Sequence, residues 1–512
     1  MNVPDFIARA ARLHPDRAAV ECGAETRTVT EIDRRSRRLA NALIGLGLLK
    51  GDRVVVLHEN SARCIECDFA SARAGLVRVS LNPRTTPGEA RYILEQVQPR
   101  AIVFGAGFDW LPPLLDDLGQ QTLRIGAQPG ALALDPRACD YEALLEHAAD
   151  TAPSVAIDDE DLHSIFFTSG SSGKPKGVML SHRSIVQAAA NVLIEFGPQQ
   201  PGEQILLLQP LSHGSAYFVL PCFLRGCCIR LMPQFDAEAV IEAMRSPALQ
   251  TVKMVPTMLQ RLLAVPQVAA HHYPGLRQII YGGSHIAPAV LERAIETFGG
   301  RLAQHYGQSE APSTITVLPR EDHGRDNIGQ TILRSAGRAW TSVDVRIAGP
   351  DGITLSAGVQ GEVVVRAPHV MSGYWQRPEL TAQVLREGWL HTSDHGVLDE
   401  RGYLHLLGRT DDMIISGGYN IAPLEVEDAL LRHPMIREAA VVGRADEEWG
   451  HVVVAFVCVQ PGTLTAAQIG DHCRGLLGYR KPRQVFLVDE LPRNANGKID
   501  KAALKAAAAA RG

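Results

Sequence analysis

Short valine-rich runs alternate with helical stretches in the first part of the chain, and this alternation is the tightest constraint on its fold. Arg53–Leu57, Leu76–Leu81 and Ala101–Phe104 read as strands, with helices over Ser61–Ala74 and Pro87–Val97 between them. A helix that carries the chain back over a sheet leaves successive strands parallel, so this rhythm predicts a parallel sheet covered by helices. The rhythm restarts after a loop-like stretch near Thr151–Asp161, with a strand over Ser164–Thr168, a glycine/serine loop, and a helix from about Ser181. Strands over Gln204–Leu208, Val252–Val255 and Gln278–Tyr281 then alternate with helices over Ala237–Ala243, Thr257–Leu263 and Pro288–Phe298. From Ser335 to Leu407 the texture changes to valine-rich strands and glycine turns (Val343–Ile347, Gly361–Arg366, Gly396–Leu398, Leu404–Leu406), which predicts a small β-rich subdomain. The tail from Asp412 carries helices over Leu424–Arg432 and Ala466–Leu477, with strands near Ala439–Val442 and Val452–Val459, and reads as a separate α+β domain. Lys501–Arg511 is alanine-rich and reads as a frayed helix end. A length of 512 residues fits three or four such units.

Charge and cysteine usage narrow the partners. A net charge of -5 and a pI near 6.4 exclude a generally basic nucleic-acid surface, but leave room for a local anion site. Met1–Arg12 carries Asp5 and lacks the apolar core of a secretory signal. The longest uncharged run, Gln204–Leu224, holds Gln209, Ser212, His213, Ser215 and two prolines, so it reads as a buried strand-and-turn segment and not a membrane span. Nine scattered cysteines, an odd number in a large chain, suit a reducing compartment, so a cytoplasmic protein is expected. Cys64 and Cys67 form a lone CxxC with no partner motif, and Ala62–Phe69 reads as an ordinary helix.

Lysine is scarce, at eight of the 51 Lys and Arg residues, and two of the eight fall in one loop. The run Phe166-Phe167-Thr168-Ser169-Gly170-Ser171-Ser172-Gly173-Lys174-Pro175-Lys176-Gly177-Val178 follows an apolar strand and leads towards a helix. Glycines allow close backbone approach, hydroxyls and free N–H groups can wrap phosphate oxygens, and a lysine supplies a point charge. It is not a Walker A loop: Pro175 follows Gly173-Lys174, and position 168 is Thr and not Gly. Read alone, such a stretch is equally a flexible surface loop.

Thr168–Gly177 resembles the signature loop of the adenylate-forming superfamily, which includes acyl-CoA synthetases, peptide-synthetase adenylation domains and luciferases. Four further runs resemble that family's motifs in the family's order. Tyr306-Gly307-Gln308-Ser309-Glu310 is similar to YGxTE, with Ser for Thr. Gly388-Trp389-Leu390-His391-Thr392-Ser393-Asp394 is similar to GWxxTGD, with Ser393 where Gly is usual. Gly408-Arg409-Thr410-Asp411-Asp412-Met413 through Gly417-Gly418-Tyr419 matches the hinge motif. Leu491-Pro492-Arg493-Asn494-Ala495-Asn496-Gly497-Lys498 resembles the C-terminal PxxxxGK motif. Tyr281-Gly282-Gly283-Ser284 resembles the strand-end motif between acyl group and nucleotide, and Pro210-Leu211-Ser212-His213-Gly214-Ser215 the floor of the acyl pocket. In isolation each of these would read as a turn, a hairpin or a solvated charge.

The resemblance implies an α/β fold with two parallel-rich sheet subdomains and a β-rich subdomain over residues 1–409. A hinge at 410–411 and a small mobile α+β domain over 412–512 follow. It implies ATP, Mg²⁺ and coenzyme A as ligands. Ser169, Gly170, Ser171, Ser172, Gly173, Lys174 and Lys176 would cradle phosphates, with Tyr306 against adenine and Gly307, Gln308 and Ser309 beside the nucleotide. Asp394 would hold the ribose, Arg409 the nucleotide, and Glu310 with Thr168 the metal. Lys498 would bridge substrate carboxylate and α-phosphate. Asp411 would be the hinge, and Gly417, Gly418 and Tyr419 would line the thiol tunnel. His213, Gly214, Tyr281, Gly282 and Gly307 would line the acyl pocket, with Gly283 and Ser284 on its nucleotide side. The absence of Asp from Gln204 to Leu224 argues against an amino-acid substrate. The implied activity is AMP-forming ligation of a fatty, aryl or bulky polycyclic acid to CoA. A stand-alone enzyme loading a carrier protein's phosphopantetheine, or a non-catalytic nucleotide-binding relative, would carry much of the same pattern.

Overall fold

The computed structural model describes residues 1–119, 121–168, 174–198, 200–460, 462, 464–494 and 498–511, with backbone alone at Asp411 and Asn420. The described residues form four sheets. In the first, the sequence-expected strands Arg53–Leu57, Val77–Leu81 and Ala101–Phe104 run parallel as neighbours, joined by helices Ala62–Ala74 and Pro87–Val97. Strand Leu162–Thr168 extends this sheet beside Val77–Leu81. The second sheet holds nine strands, and its parallel centre runs Leu302–Tyr306, Gln278–Gly282, Leu249–Met254, Gln204–Leu207 and Cys228–Leu231. One apolar cluster joins the two sheets. It contains Phe166, Val178 and Leu180 from the first, Ile205, Leu207 and Ile280 from the second, and Phe218 and Phe223 from the segment between.

Two readings of the sequence change. The glycine/serine loop does not lead from strand to helix. It joins two antiparallel strands, Leu162–Thr168 and Lys176–Ser181, with Thr168 opposite Lys176, and the helix His182–Glu195 begins only after the second. The alternation Val178 and Leu180 buried, Met179 half-buried, is the strand signal that the polar loop beside it obscured. The alanine-rich end is also no frayed terminus. Asp500 accepts from the Ala503 N–H as a cap, and helix Lys501–Ala510 buries Leu504 and Ala508 against Val442, Val454 and Phe456.

The β-rich region is an antiparallel five-stranded sheet, in which strand Trp389–Leu398 lies between Gly361–Arg366 and Leu404–Arg409. After a 3₁₀ turn over Thr410–Asp412 the chain enters the fourth sheet, built mainly from the long antiparallel pair Ile436–Asp446 and Gly450–Val459. Helices Pro423–Leu431 and Ala466–Leu477 cover one face of it and Lys501–Ala510 the other. This tail meets the rest of the chain through polar contacts: His285 Nε2 with Asp428 Oδ1 at 2.7 Å, and Gln260 Nε2 donating to the Arg437 carbonyl at 3.2 Å. Among the described residues no helix is long and apolar enough to cross a membrane.

Candidate active site

Parallel strands deliver their carboxyl ends to one edge of a sheet, and ligand-binding loops gather there. The strands ending at Leu207, Met254, Gly282 and Tyr306 supply that edge here. Tyr306 Oη donates to Asp394 Oδ2 at 2.5 Å, and Gln308 Nε2 donates to the same oxygen at 2.6 Å. Arg409 Nε lies 3.3 Å from Asp394 Oδ1. Residues 88 positions apart in sequence thus hold one largely buried carboxylate in a fixed orientation. Burial first, and then Asp394, pushes the Tyr306 phenol well above its ordinary range, so it stays a donor. Burial alone would lower the Arg409 pKa, but Asp394 and Glu310 outweigh it and the guanidinium stays charged.

Asp394 owes its position to an unusual backbone. Ser393, where the resembled motif has Gly, takes a φ of +58°, in the left-handed region that a Cβ disfavours. Its N–H donates to Glu362 Oε1 at 3.1 Å, and the Asp394 N–H donates to Thr392 Oγ1 at 3.1 Å, which hold the turn in place.

A second group forms around Glu310. Tyr374 Oη donates to Glu310 Oε1 at 2.7 Å, and Lys176 Nζ sits 5.7 Å from the Tyr374 ring centroid. Lys174 lies over the Tyr92 ring instead, 5.9 Å from its centroid. Tyr374 and Tyr92 were not marked by the sequence. The signal for Tyr374 lay in its strand, Gly373–Tyr374, which pairs with the strand following the loop. Thr168 ends the strand at the loop's near side, and Ser169, Gly170, Ser171, Ser172 and Gly173 lie outside the described residues.

Lys498 arrives from the tail. Its side chain is open to solvent within the cleft, yet the protein around it lowers its pKa. Arg409 lowers it further, while Asp394 and Glu310 oppose. Lys498 therefore stands within electrostatic range of both carboxylates, and of His213, whose pKa falls through burial and then through Lys498. The ordinary histidine value is near 6.5, so His213 is neutral at pH 7, with its Nδ1–H donating to the Ser212 carbonyl at 2.6 Å.

The remaining expected residues divide. Gly214 is half-buried beside His213, Gly307 and Ser309 are half-buried in the turn after Tyr306, and Gly283 and Ser284 are exposed. Tyr281 is a correction to the expected acyl lining: its side chain does not share the face that carries Lys253 and Gly214. Strand alternation sends it to the opposite face of the sheet, into the cluster of Val252 and Met254, where its hydroxyl meets Gln304 Oε1 and His323 Nε2. Asp411 has its backbone in the 3₁₀ turn Thr410–Asp412. Gly417, Gly418 and Tyr419 form an exposed hairpin turn, with Tyr419 against Tyr479 at 4.7 Å between ring centroids.

Comparison with known proteins agrees with this architecture. The AMP-binding enzyme family matches residues 7–375, and the AMP-binding enzyme C-terminal domain matches residues 425–498. The chain belongs to the AMP-binding enzyme family. It is 35% identical over 498 residues to a feruloyl-CoA synthase of Amycolatopsis sp, covering 96% of each chain. It is also 35% identical over 509 residues to an indoleacetate–CoA ligase of Aromatoleum aromaticum, covering 98% of this chain and 97% of the other. Among solved structures, the o-succinylbenzoate CoA synthetase of Bacillus subtilis in complex with its acyl-adenylate intermediate superposes with a TM-score of 0.85. The two are 28% identical, and the match covers 98% of both chains.

Proposed function

We propose that this protein activates a hydrophobic carboxylic acid with ATP and passes the acyl group to the thiol of coenzyme A. It is an AMP-forming acid–CoA ligase. The observation that carries the residue-level reading is the Asp394 carboxylate held by Tyr306, Gln308 and Arg409, with Lys498 of the tail within electrostatic range of it and of Glu310. A carboxylate is a poor acyl electrophile. Its oxygen attacks the α-phosphorus of ATP, pyrophosphate leaves, and the resulting mixed anhydride is a good acyl donor. The thiol then adds to that carbonyl, and AMP leaves with the electron pair of the broken acyl–oxygen bond.

In the first step two anions must meet, and negative charge grows on phosphorus oxygens. Lys498 supplies a compact ammonium there, stabilising the transition state more than the separated reactants. Asp394, oriented by Tyr306, Gln308 and Arg409, presents a carboxylate that suits the vicinal hydroxyls of a ribose. Lys176 and Lys174 flank the phosphates. Glu310 and Thr168 offer a carboxylate and a hydroxyl, and Tyr374 occupies only Oε1 of Glu310, a hard oxygen set that fits Mg²⁺. When bound, Mg²⁺ would neutralise charge on the phosphate oxygens. Residues 1–409 form the catalytic body in this reading and 412–512 the moving domain, turning about Asp411 so that Lys498 withdraws and the thiol enters past Gly417, Gly418 and Tyr419. The contacts of His285 with Asp428 and of Gln260 with Arg437 are polar, which favours such motion, because polar interfaces between domains separate more readily than apolar ones. The nine unpaired cysteines fit a reducing cytoplasm.

The test is a pyrophosphate-release screen over fatty, aryl and amino acids, with CoA and without. Thioester formation with fatty or aryl acids is expected. A response from amino acids alone would overturn the substrate class, and acyl transfer to a carrier protein but not to CoA would overturn the acceptor.

A further inference from the structure

Strand Leu249–Met254 alternates, with Val252 and Met254 in one apolar cluster and Lys253 on the other face. A lysine normally buries its stem and lifts its ammonium into water. Lys253 does not: it is 1% exposed. Its Nζ donates to Gln209 Oε1 at 2.6 Å and sits 5.1 Å from the Phe218 ring centroid. Among the described residues no carboxylate pairs with it, and burial alone brings its pKa to about 7. As an ammonium it has three donors and as an amine two, and Gln209 takes one, so it is an expensive group to bury without purpose.

Its surroundings are polar where a core is usually apolar. A Cβ on Gly214 would lie 3.6 Å from Lys253 Nζ and 3.9 Å from Ser313 Oγ. Gly214 adjoins His213, which lies within electrostatic range of Lys498, so this segment runs between Lys498 and the buried amine. His305 stands on the neighbouring side, within electrostatic range of Lys253, and burial holds it neutral with a pKa of about 3. Its Nδ1–H donates to the Ser313 carbonyl at 2.9 Å, so Nε2 is a bare acceptor, buried and without a partner among the described residues. A Cβ on Gly282 would collide with the His305 carbonyl oxygen and come within 2.8 Å of that nitrogen, so only glycine fits beside it. The hydroxyls of Ser212 and Ser215, on either side of His213 and Gly214, are likewise buried and unpartnered among the described residues.

We propose that Lys253 is the specificity-determining group at the closed end of the acyl pocket, and that it binds a second oxygen function, hydroxyl or carboxylate, at the far end of the acid. This rests on the ligase reading and adds the substrate's chemistry to it. The oxygen accepts from the free N–H donors of Lys253. If it is a hydroxyl, its own proton is directed at His305 Nε2 or at a serine hydroxyl. A site built to hydrogen-bond a polar group discriminates strongly against the analogue lacking it, because its buried donors are then left unpaired.

The experiment is a matched panel of acids of one skeleton: unsubstituted, distally hydroxylated and distally carboxylated. Each is assayed for kcat/KM with the wild type, Lys253→Met and Lys253→Gln. One oxygenated acid is expected to exceed the unsubstituted acid by about tenfold or more with the wild type, mainly in KM, and which one it is names the group. Lys253→Met is expected to abolish that advantage while turning over the unsubstituted acid at least as well, with a melting temperature no lower than wild type. Lys253→Gln keeps a neutral donor and is expected to retain part of the preference for the hydroxyl only. A wild type that favours the unsubstituted acid, or a Lys253→Met loss equal for all acids and accompanied by a lower melting temperature, overturns the proposal while leaving the ligase reading intact. Failure to adenylate any acid of any panel contradicts both.

Discussion

On the side of the site proposed for the nucleotide, Asp394 is gripped by Tyr306, Gln308 and Arg409, and Glu310 by Tyr374. On the side proposed for the acyl group, Lys253 has one hydrogen bond among the described residues, and His305 Nε2, Ser212 Oγ and Ser215 Oγ have none among them. The nucleotide side holds charges that satisfy one another before substrate arrives, as suits a ligand common to all turnovers. The acyl side keeps polar groups buried and waiting, as suits a ligand whose identity must be checked. Preorganised charge supports the chemistry, while unsatisfied polarity supports selection.

The largest effect should come from Lys498, which belongs to neither side alone. Lys498→Ala is expected to lower acyl-adenylate formation by about 10²–10³-fold, the loss typical of one transition-state donor, and to spare thioester formation from supplied acyl-AMP. Equal loss in both half-reactions would remove Lys498 from the adenylation step. The same residue gives a pH signature. Its pKa lies below the ordinary lysine value, so the alkaline fall in adenylation rate should begin at lower pH than for a free lysine, and a profile flat beyond pH 10.5 would contradict that role.

Asp394→Asn sharpens the contrast from the nucleotide side. Loss of a charged hydrogen-bond acceptor costs about 1.5–3 kcal/mol, so KM for ATP should rise about ten- to hundredfold with little change in KM for the acid. A parallel rise in both would mean that the two sides are not separate.

Those nucleotide-side residues were legible because each lies in a short contiguous run whose residue types can be compared with a family: Tyr306–Glu310, Gly388–Asp394 and Gly408–Asp411. The strands and helices of the first sheet were legible for a different reason, their strong periodicity. Lys253 was hidden because a single lysine in a strand carries no local pattern. Its meaning depends on Gln209, Gly214 and His305, which only the parallel register of the strands brings near. Tyr281 was misread for the complementary reason. It adjoins Gly282 in sequence, but one step along a strand reverses the face. The strand Lys176–Ser181 was missed because a polar loop masks the short alternation that follows it.

Lys253 also leaves a mark on stability that the nucleotide side does not share. Its pKa is about 7 in the folded protein against 10.5 when unfolded, so between these values the unfolded chain binds more protons and stability rises with pH. One such group contributes up to about 1.4 kcal/mol per pH unit in that window. Chemical denaturation from pH 7 to 9 should therefore show a positive slope that Lys253→Met flattens, and an unchanged slope in the variant would place the titration elsewhere. The smallest effect belongs to Ser393. Replacing it with Gly relieves a left-handed residue of its Cβ and should stabilise the protein by about 1 kcal/mol without altering KM for ATP. Destabilisation would mean that the serine side chain holds the Asp394 turn.

In the proposed reaction an acyl-adenylate forms before the thioester. This order is tested most directly by supplying the preferred acid with ¹⁸O in its carboxylate and following the label through one turnover with ATP and CoA. One labelled oxygen in AMP and unlabelled pyrophosphate are expected. Label in inorganic phosphate, or unlabelled AMP alongside complete thioester formation, would contradict that order.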